Sequence, residues 1–121
     1  MVGRISAVEL HERIEAGESI QVIDVRPEIA YRRGHIPGAE NLPIHWFTEA
    51  IEEHDWGEEI VVACPHGESS LQAARLLEAY EGTGKDTHIA NLADGYEAWE
   101  YGLERGPDGD DPKPDGENPP F

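Results

Sequence analysis

Ile60-Val61-Val62-Ala63-Cys64-Pro65-His66-Gly67-Glu68-Ser69-Ser70 passes from four apolar residues into a short polar loop and carries the chain's only cysteine. A continuous apolar run bounded by a turn reads as a strand buried on both faces of a parallel sheet. Ala73, Leu76, Leu77 and Tyr80 follow at helical spacing and are expected on one buried stripe of a helix. Ser69 and Gln72 fit an S-x-x-Q capping box, which starts that helix directly after the loop. Strand, loop and helix start thus surround one thiol. The loop amides and the free amides of the first helical turn are expected to converge on the Cys64 sulfur. A negative sulfur is stabilised in such a place, and that is the condition for nucleophilic sulfur chemistry.

Outward from this stretch, strand and helix signals alternate. Ser6 and Glu9 form a capping box, and Ala7, Leu10 and Ile14 mark the buried face of a first helix that stops at Gly17. Ile20 to Val25 is rich in β-branched residues, and Pro27 suits the first turn of a short helix ending near Gly34. Residues 34 to 43 read as a turn, a brief strand and a stop. Phe47, Ala50 and Ile51 suggest another helix, Thr87 to Leu92 a last strand, and Tyr96, Trp99 and Leu103 one face of a final helix. Alternation with short connections predicts an α/β fold: an open, mostly parallel sheet of about five strands with helices on both faces. Ligands of such sheets bind beyond the carboxyl ends of the strands, where Cys64 falls.

The length of 121 residues fits one globular domain, expected over 1–105. From Gly106 the composition shifts to Gly, Pro, Asp and Glu, so 106–121 is expected to be a disordered acidic tail. No apolar stretch is long enough to cross a bilayer, and the first residues lack the apolar core of a secretory signal, so a soluble, cytoplasmic protein is expected. One cysteine forms no intrachain disulfide, which agrees with a reducing compartment. With 26 acidic against 9 basic residues the formal charge is -17, which disfavours direct nucleic-acid binding. An ordinary acidic cytosolic surface is one reading of this charge. The favoured one is a halophilic protein, whose dense carboxylate surface keeps it hydrated in molar salt. At about 1 M salt the screening length is only ~3 Å, so the net charge would scarcely repel a small anionic substrate.

Four motifs resemble the rhodanese family, in the family's order, and the match runs from about Ile5 to Leu103. Ile23-Asp24-Val25-Arg26 resembles the strand-end D-x-R element, and Gly34-His35-Ile36-Pro37-Gly38-Ala39 the G-H-I-P-G-A turn. Cys64 to Ser69 resembles the six-residue active-site loop, and Leu92-Ala93-Asp94-Gly95-Tyr96-Glu97-Ala98-Trp99 the L-x-G-G-F-x-A-W signature. The surroundings of Cys64 are most similar to small single-domain thiosulfate sulfurtransferases, whose loop can read C-x-H-G-x-S-S. The resemblance implies a three-layer α/β/α fold and transfer of a sulfane sulfur through a cysteine persulfide. This chain departs from the family at three places. Glu68 stands where an uncharged or basic residue would better suit an anionic substrate, Ser69 where many relatives have Arg or Lys, and Asp94 replaces the first glycine of the G-G pair.

Cys64 is therefore the expected nucleophile, and Pro65, His66, Gly67, Glu68, Ser69 and Ser70 the expected substrate cradle. Asp24 and Arg26 end the neighbouring strand and are expected as supporting residues, either holding the active loop by hydrogen bonds or forming a structural ion pair; the structural role is favoured, because charged groups near a buried strand end need partners. His35 is assigned to turn architecture, and Tyr96 and Trp99 to packing. A small sulfur-containing anion is the expected donor, and cyanide, a thiol or a sulfur-relay protein the acceptor, since no second cysteine can discharge a persulfide internally. No organic cofactor or metal is implied, because the six histidines lack close ligand spacing. Phosphate-ester hydrolysis and arsenate reduction need a C-x5-R loop, whereas the sixth residue after Cys64 is Ser70. A noncatalytic rhodanese-like interaction module is the remaining alternative.

Overall fold

A computed structural model describes residues 2–80 and 87–105, so the expected tail over 106–121 lies outside the described residues. Strand β4 (Glu59–Ala63) contains the apolar run read above. Its period of two sends Ile60, Val62 and Cys64 to one face of the sheet and Val61 and Ala63 to the other. Four further strands join it: β1 (Gly3–Ile5), β2 (Gln21–Asp24), β3 (Glu40–Asn41) and β5 (His88–Leu92). They form one sheet in the order β1-β5-β4-β2-β3, and every neighbouring pair is parallel.

Helices cover both faces and make the three layers. Helix α1 (Ala7–Glu15) and helix α2 (Glu28–Arg33) pack Ala7, Leu10 and Tyr31 against Val22, Val61 and Ala63. On the opposite face, the short helix α3 (Phe47–Ala50) and helix α4 (Ser69–Ala79) set Phe47, Ala73, Ala74 and Leu77 against Ile23, Ile60, Val62 and Cys64. Ser6 caps α1 as its sequence predicts, its hydroxyl accepting the Glu9 amide at 3.0 Å, a contact worth about 1 kcal/mol. Ala16 caps the other end, and Gly17 turns the chain out at a φ of 81°. No helix among the described residues is long and apolar enough to cross a membrane.

Three local expectations are corrected. Helix α4 has no serine cap: Glu68 holds the cap position without a side-chain hydrogen bond, and Ser69 is already helical. Gly67 turns the chain at a φ of 89°, after which Glu68 enters helical geometry at φ -90° and ψ -53°. An N-cap side chain needs an extended backbone at its own residue, and Ser69 lacks one. The buried stripe of α4 is Ser70, Ala73, Ala74 and Leu77, whereas Leu76 is 38% exposed. This is the same i, i+3, i+4, i+7 pattern begun at a polar residue, and Ser70 is buried because it is engaged at the sulfur.

The expected final helix is only a 3-10 turn over Gly95–Ala98. Beyond Trp99 the chain extends, because Glu104 pairs with His35 through two backbone hydrogen bonds of 2.8 Å. Leu103 is accordingly 49% exposed and does not share a helical face with Tyr96 and Trp99.

Candidate active site

The thiol sits where three carboxyl strand ends meet. Cys64 directly follows β4, Val25 and Arg26 follow β2, and the 93–95 turn follows β5. Parallel pairing continues past β2, since the Val25 amide donates to the Ala63 carbonyl at 3.0 Å. Cys64 is 1% exposed and belongs to the apolar cluster beneath α4, yet its sulfur has polar partners. The Gly67 amide donates to Sγ at 3.0 Å, and the Cys64 thiol donates to Ser70 Oγ at 3.2 Å. The expected nest of several amides is thus, among the described residues, one amide and one hydroxyl. Among the described residues, no amide of the first turn of α4 hydrogen-bonds the sulfur.

The loop hangs from the turn after β5. Tyr96 donates its amide to the Cys64 carbonyl at 2.9 Å, and Glu97 donates to the Pro65 carbonyl at 3.2 Å. Gly95 permits this approach: a Cβ there would lie 2.2 Å from the Cys64 oxygen and 2.5 Å from the Pro65 oxygen. Asp94 occupies the left-handed region at φ 62° and ψ -2°, which an Asp adopts more readily than most residues. The turn's geometry is therefore reached with Asp in the place of the usual glycine.

Asp24 and Arg26 form a supporting pair. Asp24 is fully buried, and Arg26 binds both its carboxylate oxygens through Nε and Nη2 at 2.8–3.1 Å. The same guanidinium donates to the Gly34 carbonyl at 2.6 Å and lies 3.6 Å from the centre of the Tyr96 ring. Burial alone would lower the proton affinity of Arg26, and Asp24 more than offsets it by hydrogen bonding and charge, so the group stays protonated. Tyr96, expected to serve packing, completes the network: its hydroxyl donates to Asp24 at 2.8 Å and accepts the Ile36 amide at 3.0 Å. Tyr96 thereby links the Asp24 carboxylate, the G-H-I-P-G-A turn and the Cys64 carbonyl.

Burial pushes the Tyr96 phenol far above the usual tyrosine range, and the Asp24 carboxylate adds to the shift. A raised value in the folded state means that stability from the neutral phenol is full below about pH 10, where an unfolded tyrosine ionises, and is lost above it. Tyr96→Phe is expected to lose less of its stability between pH 9 and pH 11 than the parent does, read from urea midpoints across that range. Equal slopes would mean that the phenol does not titrate on unfolding.

Pro65 and Glu68 are exposed, and Ser69 is half-buried at the first turn of α4. His66 is exposed, and its Nδ1 lies 3.0 Å from Glu97 Oε2, so it faces the carboxylate and not the sulfur. Glu68 lines a shallow groove with Leu71, Gln72, Arg75 and Leu76 on the outer side of α4. His35 is fully buried, stacked on Tyr31 at 3.8 Å, with Nδ1 2.8 Å from the Tyr31 carbonyl. Among the described residues, no group of three or more His, Cys, Asp or Glu side chains is placed to hold a metal.

Asn91 is the residue the sequence reading missed. It is 6% exposed near the end of β5, accepts a hydrogen bond from Ser70 Oγ, and donates to the Gly67 carbonyl at 3.0 Å. Its signal was present, because an amide inside Ile89-Ala90-Asn91-Leu92 is costly unless partnered.

The fold and this loop define a class: a three-layer α/β protein that presents one cysteine between a central strand and its helix. Residues 6–101 match the Rhodanese-like domain model, and the chain belongs to the rhodanese-like domain family. The thiosulfate sulfurtransferase GlpE of Shewanella oneidensis is 35% identical over 95 residues, which cover 78% of this chain and 89% of that one. The HTH-type transcriptional regulator Rv0324 of Mycobacterium tuberculosis is also 35% identical over 95 residues, but the chain spans only 40% of its length. In structure, a rhodanese-like domain protein from Staphylococcus aureus superposes with a TM-score of 0.73 at 24% identity, covering 87% of this chain and 99% of that one. That likeness establishes the shared fold. The family includes sulfurtransferases and proteins of other function.

Proposed function

We propose that this protein is a rhodanese-type sulfurtransferase that carries a sulfane sulfur on Cys64. The observation that supports it most is the seating of Sγ against the Gly67 amide and the Ser70 hydroxyl at the carboxyl end of β4. In the first step the Cys64 thiolate attacks the outer sulfur of thiosulfate. The S–S bond of the donor breaks and sulfite leaves with its electron pair, giving a Cys64 persulfide. In the second step cyanide, a thiol or a partner protein's cysteine attacks the terminal sulfur, and the thiolate departs. This two-step covalent route predicts ping-pong kinetics. Within 65–70, Gly67 and Ser70 are the members of the cradle that hold the sulfur in this reading, and Asp24 and Arg26 hold the strand end beside it. A reducing cytoplasmic setting suits the single free thiol, and the charge of -17 suits a halophilic host.

The test is thiosulfate:cyanide transfer in molar KCl, with intact mass measured after donor treatment and Cys64→Ser alongside. Thiocyanate and a gain of one sulfur atom are expected for the parent only. An inert parent with no added sulfur overturns the reading. It would favour the noncatalytic interaction module, for which the burial of Cys64 is the supporting observation.

Glu68 sets the donor preference in this reading. Glu68 is exposed next to the loop, and a unit negative charge that came within roughly 8 Å of a dianion in water would oppose its approach by about 1 kcal/mol. Glu68→Asn and Glu68→Arg are expected to raise kcat/KM for thiosulfate about two- to fivefold at low ionic strength. The gain should vanish in 1 M KCl, where screening reaches ~3 Å. Equal kinetics for parent and variants at low salt would mean that Glu68 faces away from the donor's path.

A further inference from the structure

The two groups that contact the sulfur are joined by a third that does not touch it. Asn91 Nδ2 donates to the Gly67 carbonyl at 3.0 Å, and a carbonyl can only accept, so the orientation of the Asn91 amide is fixed. Asn91 Oδ1 therefore faces Ser70 and must receive the Ser70 hydroxyl proton. With that proton committed, Ser70 Oγ presents a lone pair to the sulfur and accepts the Cys64 thiol at 3.2 Å. On the other side, anchoring the Gly67 carbonyl holds the 67–68 peptide, and through the Gly67 Cα this restrains the preceding 66–67 peptide, whose N–H donates to Sγ at 3.0 Å. The bonds close a ring: Cys64 Sγ, Gly67, Asn91, Ser70 and back to Sγ.

We propose that Asn91 is the positioning residue of the sulfur cradle, setting the direction of the Ser70 hydroxyl and anchoring the backbone at Gly67 so that the Gly67 N–H stays towards Sγ. In the resting thiol all four groups are satisfied. When the sulfur carries negative charge, the Ser70 proton turns from Asn91 Oδ1 to the sulfur, while Asn91 Nδ2 keeps its hold on the Gly67 carbonyl. Only hydrogen bonds exchange, and no covalent bond forms or breaks at Asn91. The role rests on Cys64 as the reacting sulfur. It goes beyond that reading because it assigns work to a residue that contacts neither thiol nor donor.

Two readouts separate the positioning role from a structural one, both corrected for the folded fraction by circular dichroism. The first is the alkylation rate of Cys64 by iodoacetamide at fixed pH, which needs no sulfur transfer. The second is kcat and KM for thiosulfate with cyanide as acceptor. Asn91→Leu frees the Ser70 proton for the sulfur and releases the loop that covers it, so alkylation is expected to quicken about threefold. Turnover is expected to fall about tenfold with KM for thiosulfate nearly unchanged, because an aligned hydrogen bond is lost without loss of a substrate contact. In a Ser70→Ala background, Asn91→Leu should have a smaller effect on both, because the arm to Ser70 is already gone and only the hold on the Gly67 carbonyl remains to be lost.

Asn91→Asp supplies a second route. A protonated carboxyl can donate to Gly67 and accept from Ser70 as the amide does, so per-molecule turnover should approach the parent's at low pH and fall as the carboxyl ionises. Cys64, Glu68, His66 and Glu97 are ionisable groups of the same loop and turn in both proteins, so the profile is read as the ratio of variant to parent. Parent-like rates in both readouts for Asn91→Leu would overturn the role. So would undiminished effects in the Ser70→Ala background, or a flat ratio for Asn91→Asp. Where Asn91→Leu does not fold, the Asn91→Asp ratio decides alone. If the parent makes no thiocyanate, sulfur transfer fails while alkylation still tests Asn91.

Discussion

Gly95→Ala is expected to cost about 3–5 kcal/mol and to lower the melting temperature by roughly 15 °C. Two causes add. Gly95 has a φ of 60°, and a side chain in that region costs about 1–2 kcal/mol. The new methyl would also stand 2.2 Å from the Cys64 carbonyl oxygen and 2.5 Å from that of Pro65, and both are backbone atoms that no rotamer change can move. Relief requires the turn to separate from the loop, which breaks the Tyr96–Cys64 and Glu97–Pro65 hydrogen bonds. Those bonds place the thiol, so transfer activity should fall with stability. Gly17→Ala is the control: Gly17 has a φ of 81° but nothing within 4 Å of its would-be Cβ, so only the conformational cost remains. A Gly95→Ala melting temperature within about 3 °C of the parent's would show that loop and turn separate at little cost.

What the sequence could reveal divides along physical lines. Strands β2, β4 and β5 and helices α1 and α4 were legible because each buries a run or stripe whose period is visible locally. Strand β1 was not. Its three residues, Gly3-Arg4-Ile5, include one buried side chain, and its pairing with β5 gives no local pattern. The final helix was overread because Tyr96, Trp99 and Leu103 have helical spacing, while a distant partner, His35, draws Glu104 into an extended bridge. The sulfur's position after β4 followed from the apolar run. Its partners did not, because Asn91 and Tyr96 reach the loop from β5 and the turn beyond, 27 and 32 residues along the chain from Cys64. The S-x-x-Q pattern misled for a related reason: Ser70, one residue on, is drawn to the thiol, and Gly67 starts the helix early.

The second large effect is expected at Asp24. Asp24→Ala leaves the Arg26 guanidinium without its bidentate partner at a largely covered site, and breaking a buried pair in this way costs about 3–5 kcal/mol. The loss spreads further than one ion pair. The Asp24 carboxylate also accepts the Arg26 amide at 2.8 Å and the Tyr96 hydroxyl, so three donors lose their acceptor together. Because the Tyr96 amide holds the Cys64 carbonyl, a displaced Tyr96 should loosen the thiol loop, and activity per folded molecule should drop as well. Removing both charges separates these effects. Asp24→Leu combined with Arg26→Met buries no unpaired ion, so its urea midpoint should recover much of the stability lost in Asp24→Leu alone. Its activity should stay low, since Tyr96 still lacks the carboxylate that fixes its hydroxyl. A double variant no more stable than Asp24→Leu would show that the stranded guanidinium contributes little, and that the cost lies in the other donors. Parent-like activity in that variant would instead show that the Ile36 amide and the backbone bond to Cys64 are enough to hold Tyr96 in place.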